Sequence, residues 1–165
     1  MARKKEKQTH KTNAVRLVEA EKVSYRLYSY DAPGGFLDGA SVAEALGQDP
    51  RQVFKTLLTV GSSRQHYVCV VLVGAELDLK KAARCFGEKK LEMELARRLT
   101  AVTGYVKGGC SPIGMKKPLP TAVDVSAEAL ETVIVSGGKV GLQIELPLAA
   151  LLQLTEGKLA DLTAQ

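Results

Sequence analysis

Tryptophan is absent, and five Tyr and three Phe bring the aromatic share of the 165 residues to only 5%. So few rings argue against a stacking platform for single-stranded nucleic acid. Histidine is scarcer still, with His10 near the N-terminus and His66 beside a predicted turn. Ser-His-Asp catalysis and zinc binding both draw on histidine, so neither is expected, and no cofactor is implied. The three cysteines, Cys69, Cys85 and Cys110, are odd in number and far apart. They offer neither a disulfide framework nor a CxxC redox pair, which suits a reducing compartment. No apolar run approaches the roughly 20 residues needed to cross a bilayer, and no apolar stretch follows the positive N-terminus. A cytoplasmic location without a membrane partner is therefore expected.

What is present is ordinary globular composition, 45% hydrophobic and 25% charged. That length and composition suffice for one core, and one domain over 12–165 is expected behind a basic flexible tail at 1–11. The net charge of +5 is concentrated in that tail: Arg3, Lys4, Lys5, Lys7 and Lys11, less Glu6, account for +4. Further cations recur from Lys80 to Arg98 and at Lys107, Lys116 and Lys117. They could converge on a nucleic-acid face or simply solvate helix surfaces.

Thr12 is placed to cap a helix with a partial stripe of Val15, Leu17, Val18 and Ala20, followed by a strand over 23–30. Ser41 and Glu44 have capping-box spacing for a short helix stopped by Gly47. The β-rich runs 53–60 and 67–73, separated by GlySerSerArgGln, predict a hairpin. Asp78 caps a helix with Leu79, Ala82, Ala83 and Phe86 on one face and Gly87 at its end, and Leu91, Leu95 and Leu99 predict another helix. Short β segments follow near Tyr105 and over 122–125, 132–136 and 142–146, and Pro147 opens a last helix. Strands and helices do not alternate regularly, so the fold class is α+β with a curved, mixed and largely antiparallel sheet.

In Val53-Phe54-Lys55-Thr56-Leu57-Leu58, the period of two sets Lys55 between apolar neighbours on its own face. Such a lysine either snorkels to water or meets an anion. Two glycine-rich loops follow, 104–114 and 136–141, each carrying lysine and serine. Neither matches a Walker A or dinucleotide fingerprint. Glycine lets backbone approach a ligand and aim N–H groups at a phosphate or oxyanion, though tight turns alone also use it. Cys110 is a possible nucleophile without a nearby histidine. An enzyme built from these parts would rely on positioning, backbone donors and one ammonium, which suffices for an activated ester. A binder of RNA or nucleotide without turnover is the alternative from a different class.

From Lys11 to the C-terminus the chain resembles the YbaK family of aminoacyl-tRNA deacylases, relatives of the editing domain inserted in bacterial prolyl-tRNA synthetases. The resemblance rests on KTNAVRLVE, VFKTLL at 53–58, LDLKKAAR at 77–84, TGYVKGGCSPIGMKKPLPT at 103–121 and VSGGKVGLQIEL at 135–146. It implies a curved, barrel-like mixed sheet flanked by helices and a pocket for the terminal adenosine and its amino acid. It further implies Lys55 as the key catalytic residue, with Tyr30, Phe36, Thr56, Gly109, Ser136, Gly137 and Gly138 binding substrate. The substrate is aminoacylated tRNA, with cysteine on proline tRNA first and alanine or serine as alternatives; prolyl-tRNA synthetase is an implied partner. In cysteine-specific members the substrate's own thiol attacks its carbonyl. The family's GGKRG is Gly137-Gly138-Lys139-Val140-Gly141 in this chain, and the segment around Phe36 reads GlyGlyPheLeuAspGly in place of the longer histidine-containing and acidic loop typical of cysteine-specific members.

Overall fold

The computed structural model describes residues 11–31 and 38–164. The basic segment 1–10 and the candidate Phe36 lie outside those residues. In chain order the elements are α1 (Asn13–Ala20), β1 (Arg26–Ser29), α2 (Gly39–Ala45), β2 (Phe54–Gly61), β3 (His66–Leu72), α3 (Leu79–Phe86), β4 (Leu91–Met93), α4 (Leu99–Thr103), β5 (Thr121–Asp124), β6 (Thr132–Ser136), β7 (Leu142–Pro147), α5 (Leu148–Thr155) and β8 (Lys158–Ala160).

The strands form a five-stranded sheet, β4-β2-β3-β5-β8, and a three-stranded sheet, β1-β7-β6. The pairs β3–β5 and β5–β8 are parallel and all others antiparallel. The α+β, mixed and largely antiparallel expectation therefore holds. The sheets stay separate and do not close into a barrel: Val53 bridges Ile134, but the 3-10 turn Pro50–Gln52 redirects the chain just before it.

Alternation in the hairpin sorts the interior. Phe54 and Leu58 of β2, with Val68 and Val70 of β3, meet Val133, Val135, Ile144 and Leu146 of the smaller sheet, α1 and α5. Cys69 and Val71 face the other way, onto Ala82 and Ala83 of α3. Burying each Val or Leu side chain contributes about 1.5–3 kcal/mol, so this two-sided packing fixes the register of β2 and with it the place of Lys55. A third, smaller cluster, Ala43, Val53 and Ile134, seats α2 beside the start of β2.

Several local expectations change. Thr12 caps α1 by accepting from Val15 N at 3.1 Å, yet Leu17 stays 39% exposed because Ala14, Val15 and Val18 face the core. Asp38, not Ser41, caps α2: its carboxylate accepts from the Ser41 amide, and Ser41 lies within the helix. Leu91 belongs to strand β4, opposite Gly61, and Leu95 is half exposed, so the four-residue leucine spacing there is not a helical face. Tyr105 lies outside any strand, and its hydroxyl donates to Ile113 O at 2.8 Å.

Candidate active site

A cleft of about 420 Å³ opens where the start of β2 meets the smaller sheet. It gathers Lys55 and Thr56 with Tyr30 from the end of β1 and Ser136 from the end of β6, four residues singled out in the sequence. Lys55 stands opposite Val71 in the hairpin and is half-buried. Its ammonium makes no hydrogen bond or ion pair among the described residues. Such an ammonium is set to receive an anion or a developing negative charge. Thr56, one residue on, turns to the opposite face, and its buried hydroxyl has no hydrogen-bond partner among the described residues. Leaving a buried hydroxyl unpaired costs about 1–3 kcal/mol, a penalty that a ligand atom would remove.

The two glycine loops lie against each other. A Cβ on Gly109 would sit 2.7 Å from the backbone of Lys139 and Val140, and one on Gly141 would meet Tyr30 O at 2.9 Å. Tyr30 N donates to Gly141 O at 2.9 Å, so the second loop also holds the end of β1. Thr12 ties the same loop to α1 by donating to Gly137 O at 2.5 Å. These glycines bring backbone to backbone. The amides of Gly109, Gly137 and Gly138 are already used, donating to Val106 O, Leu142 O and Ser136 Oγ. Those of Gly108 and Cys110, both lining the cleft, have no acceptor among the described residues.

Cys110 is buried, and burial pushes its thiol pKa up to about 11, so near neutrality it is a thiol rather than a nucleophilic thiolate. His66 lies in a separate, larger groove at the far end of β2, lined also by Arg64, Lys90, Met93 and Arg98. Its Nε2 is 2.7 Å from Glu94 Oε2, and the groove starts at Val60, about 17 Å along the strand from Lys55. Chemistry at Lys55 does not reach it. Among the described residues, no three His, Cys, Asp or Glu side chains converge.

Sequence reasoning passed over Asp38, Gln143, Val73 and Leu142, which also line the cleft. Asp38 carried a detectable signal as a helix cap three residues before Ser41. Gln143 carried none: its Oε1 accepts from Gln48 Nε2 at 2.7 Å across 95 residues of sequence.

Residues 38–154 match the family model described as the aminoacyl-tRNA editing domain. The chain is also 48% identical over 165 residues, all of its length and 99% of the relative's, to an Enterococcus faecalis protein named as the Cys-tRNA(Pro)/Cys-tRNA(Cys) deacylase EbsC. The chain belongs to the aminoacyl-tRNA editing family. It is an aminoacyl-tRNA deacylase, and its substrate is tRNA carrying a mischarged amino acid. A solved structure described as a trans-editing enzyme for prolyl-tRNA synthetase has a TM-score of 0.78 at 27% identity, over 93% of this chain and 98% of that one. The hypothetical protein APE2540 shares the fold at a TM-score of 0.83 and 20% identity, over 92% and 99% of the two chains.

Proposed function

We propose that the protein removes cysteine from proline tRNA in the cytoplasm, acting in trans to prolyl-tRNA synthetase, and that Lys55 is its catalytic residue. The observation that carries this reading is the half-buried Lys55 ammonium, without a partner among the described residues, in a cleft walled by two interlocked glycine loops. The 48% identical relative, named for cysteine on proline and cysteine tRNAs, supports the amino acid.

Tyr30, Ser136 and the backbone around Gly137 and Gly138 receive the terminal adenosine, and Phe36 is assigned beside them from the sequence. The Thr56 hydroxyl gains a partner on the substrate. Lys55 stabilises negative charge growing near the ester. The carbonyl is polarised by the amides of Gly108 and Cys110, because the neighbouring Gly109 amide is occupied. The substrate thiol attacks its own carbonyl. The new sulfur–carbon bond forms as the ester carbon–oxygen bond breaks, the ribose oxygen takes the proton, and water then opens the thiolactone to free cysteine. No protein nucleophile is consumed, consistent with the protonated state of Cys110.

The test compares Cys-, Ala- and Ser-charged proline tRNA with the native protein and Lys55→Ala. The native protein is expected to favour the thiol substrate, and Lys55→Ala to lose roughly 100- to 1,000-fold in kcat/KM, the scale for removing a preorganised charge-stabilising group. Equal rates for the two proteins would remove Lys55 from the mechanism. A preference for Ala or Ser would reassign the substrate.

A further inference from the structure

We propose that Asp38 binds the α-ammonium of the aminoacyl group and so restricts the cleft to amino acids whose amine is free. This rests on the deacylase reading given under Proposed function. An amino acid esterified to tRNA has lost its carboxylate charge and keeps its amine, which is protonated through much of the neutral range, given an ordinary α-amino pKa of about 7.7–8. Bringing that ammonium into a partly apolar cleft without a counter-charge is costly.

Among the described residues lining the cleft, Asp38 has the sole carboxylate, set against the cations Lys55 and Lys107. The segment 32–37, AlaProGlyGlyPheLeu, contains no ionisable side chain that could compete for the role. The carboxylate is held in place by the helix it caps. Its Oδ1 accepts from Ser41 N at 2.8 Å and its Oδ2 from Ser41 Oγ at 3.2 Å. The Ser41 amide and hydroxyl hold its pKa below the usual carboxylate range, so it is charged when the substrate amine is charged. Two bonds leave lone pairs on both oxygens for an ammonium. The next residue, Gly39, is pressed so closely on Val73 that a Cβ there would overlap the valine methyl, which anchors this end of α2 to the wall of the cleft. A helix cap is the ordinary role of such an aspartate. Capping alone does not call for a negative charge, because asparagine and serine cap equally well.

That equivalence supplies the experiment. Asp38→Asn and, separately, Asp38→Ser remove the charge and keep a capping oxygen. Steady-state kinetics would be measured with Cys-tRNA(Pro) and with N-acetyl-Cys-tRNA(Pro), whose amine carries no charge, alongside the thermal unfolding midpoint. The native protein is expected to prefer the free amine. In both variants KM for Cys-tRNA(Pro) should rise roughly tenfold, with kcat within about twofold, and the preference over the acetylated substrate should shrink by the same factor. A native protein indifferent to acetylation, or variants that slow both substrates equally, would overturn the role of Asp38 while leaving the deacylase reading standing. A native protein that cleaves neither substrate would overturn that reading and this inference with it.

Discussion

A lysine flanked by apolar residues in a strand can snorkel to water or wait for an anion, and the alternation in VFKTLL is compatible with both. The fold separates them, because the β2–β3 register seats Lys55 against a cleft where no described carboxylate reaches it. Thr56 is its complement on the opposite face, a buried hydroxyl without a partner among the described residues. Replacing it with valine breaks no hydrogen bond among the described residues. Thr56→Val is therefore expected to leave stability unchanged or raise it by up to about 1 kcal/mol. The same change should lower kcat/KM for the aminoacyl-tRNA about three- to tenfold, the worth of one neutral hydrogen bond. Denaturant unfolding together with deacylation kinetics checks both halves; a clear loss of stability would mean that the hydroxyl has an unrecognised internal partner.

At the scale of elements, the glycine loops act through proximity as much as through free donors. Gly109 matters because the backbone of Lys139 and Val140 lies where its side chain would be. Backbone cannot swing aside as a flexible side chain can, so Gly109→Ala should push the loops apart and cost about 1–3 kcal/mol. The unfolding midpoint should fall by roughly 3–8 °C. Deacylation should drop with Lys55 intact, because the displaced loop carries Ser136 and abuts Tyr30. A midpoint and rate like those of the native protein would show that the loops can relax apart freely. The helices show how far local signals reach. Asp78 and Gly87 bound α3 as their chemistry dictates, with Gly87 in the left-handed conformation at φ 74°. The capping box at Ser41 fails because Asp38, three residues earlier, offers a stronger acceptor to the same helix. Leu91, Leu95 and Leu99 mimic a helical face, but pairing of Leu91 with Gly61 on the sheet edge overrides it.

For the whole molecule, charge and shape divide the work of holding tRNA. Among the described residues lining the cleft the cations are Lys55 and Lys107, too few to supply most of the affinity for a polyanion. Residues 1–10 carry Arg3, Lys4, Lys5 and Lys7 against Glu6. Deleting them is expected to weaken tRNA binding and to flatten the slope of log affinity against log salt by about two to three, the counterion release of three or four phosphate contacts. The kcat should not change, because Lys55, Thr56, Tyr30 and Ser136 are all retained. Titrations between about 50 and 200 mM salt read the slope; an unaltered slope would remove the segment from tRNA binding.

The sequence by itself determined the α+β class, the hairpin, the cap and stop of α3 and, through the spacing of its motifs, the family. These depend on neighbours within a few residues or on motif order, and both are written along the chain. It also marked Lys55, Thr56, Tyr30 and Ser136, which the fold brings to one cleft. Tertiary structure alone decided that the sheets remain two, that Lys55 has no described counter-charge, that the two glycine loops abut at Gly109, that Gln143 accepts from Gln48 and that Asp38 shares the cleft with Lys55. Each depends on segments far apart in sequence: loops separated by about thirty residues, a helix cap brought beside a strand, and a glutamine pair 95 residues apart. Periodicity carries no record of such meetings, because packing and hydrogen bonding fix them only once the chain has closed on itself.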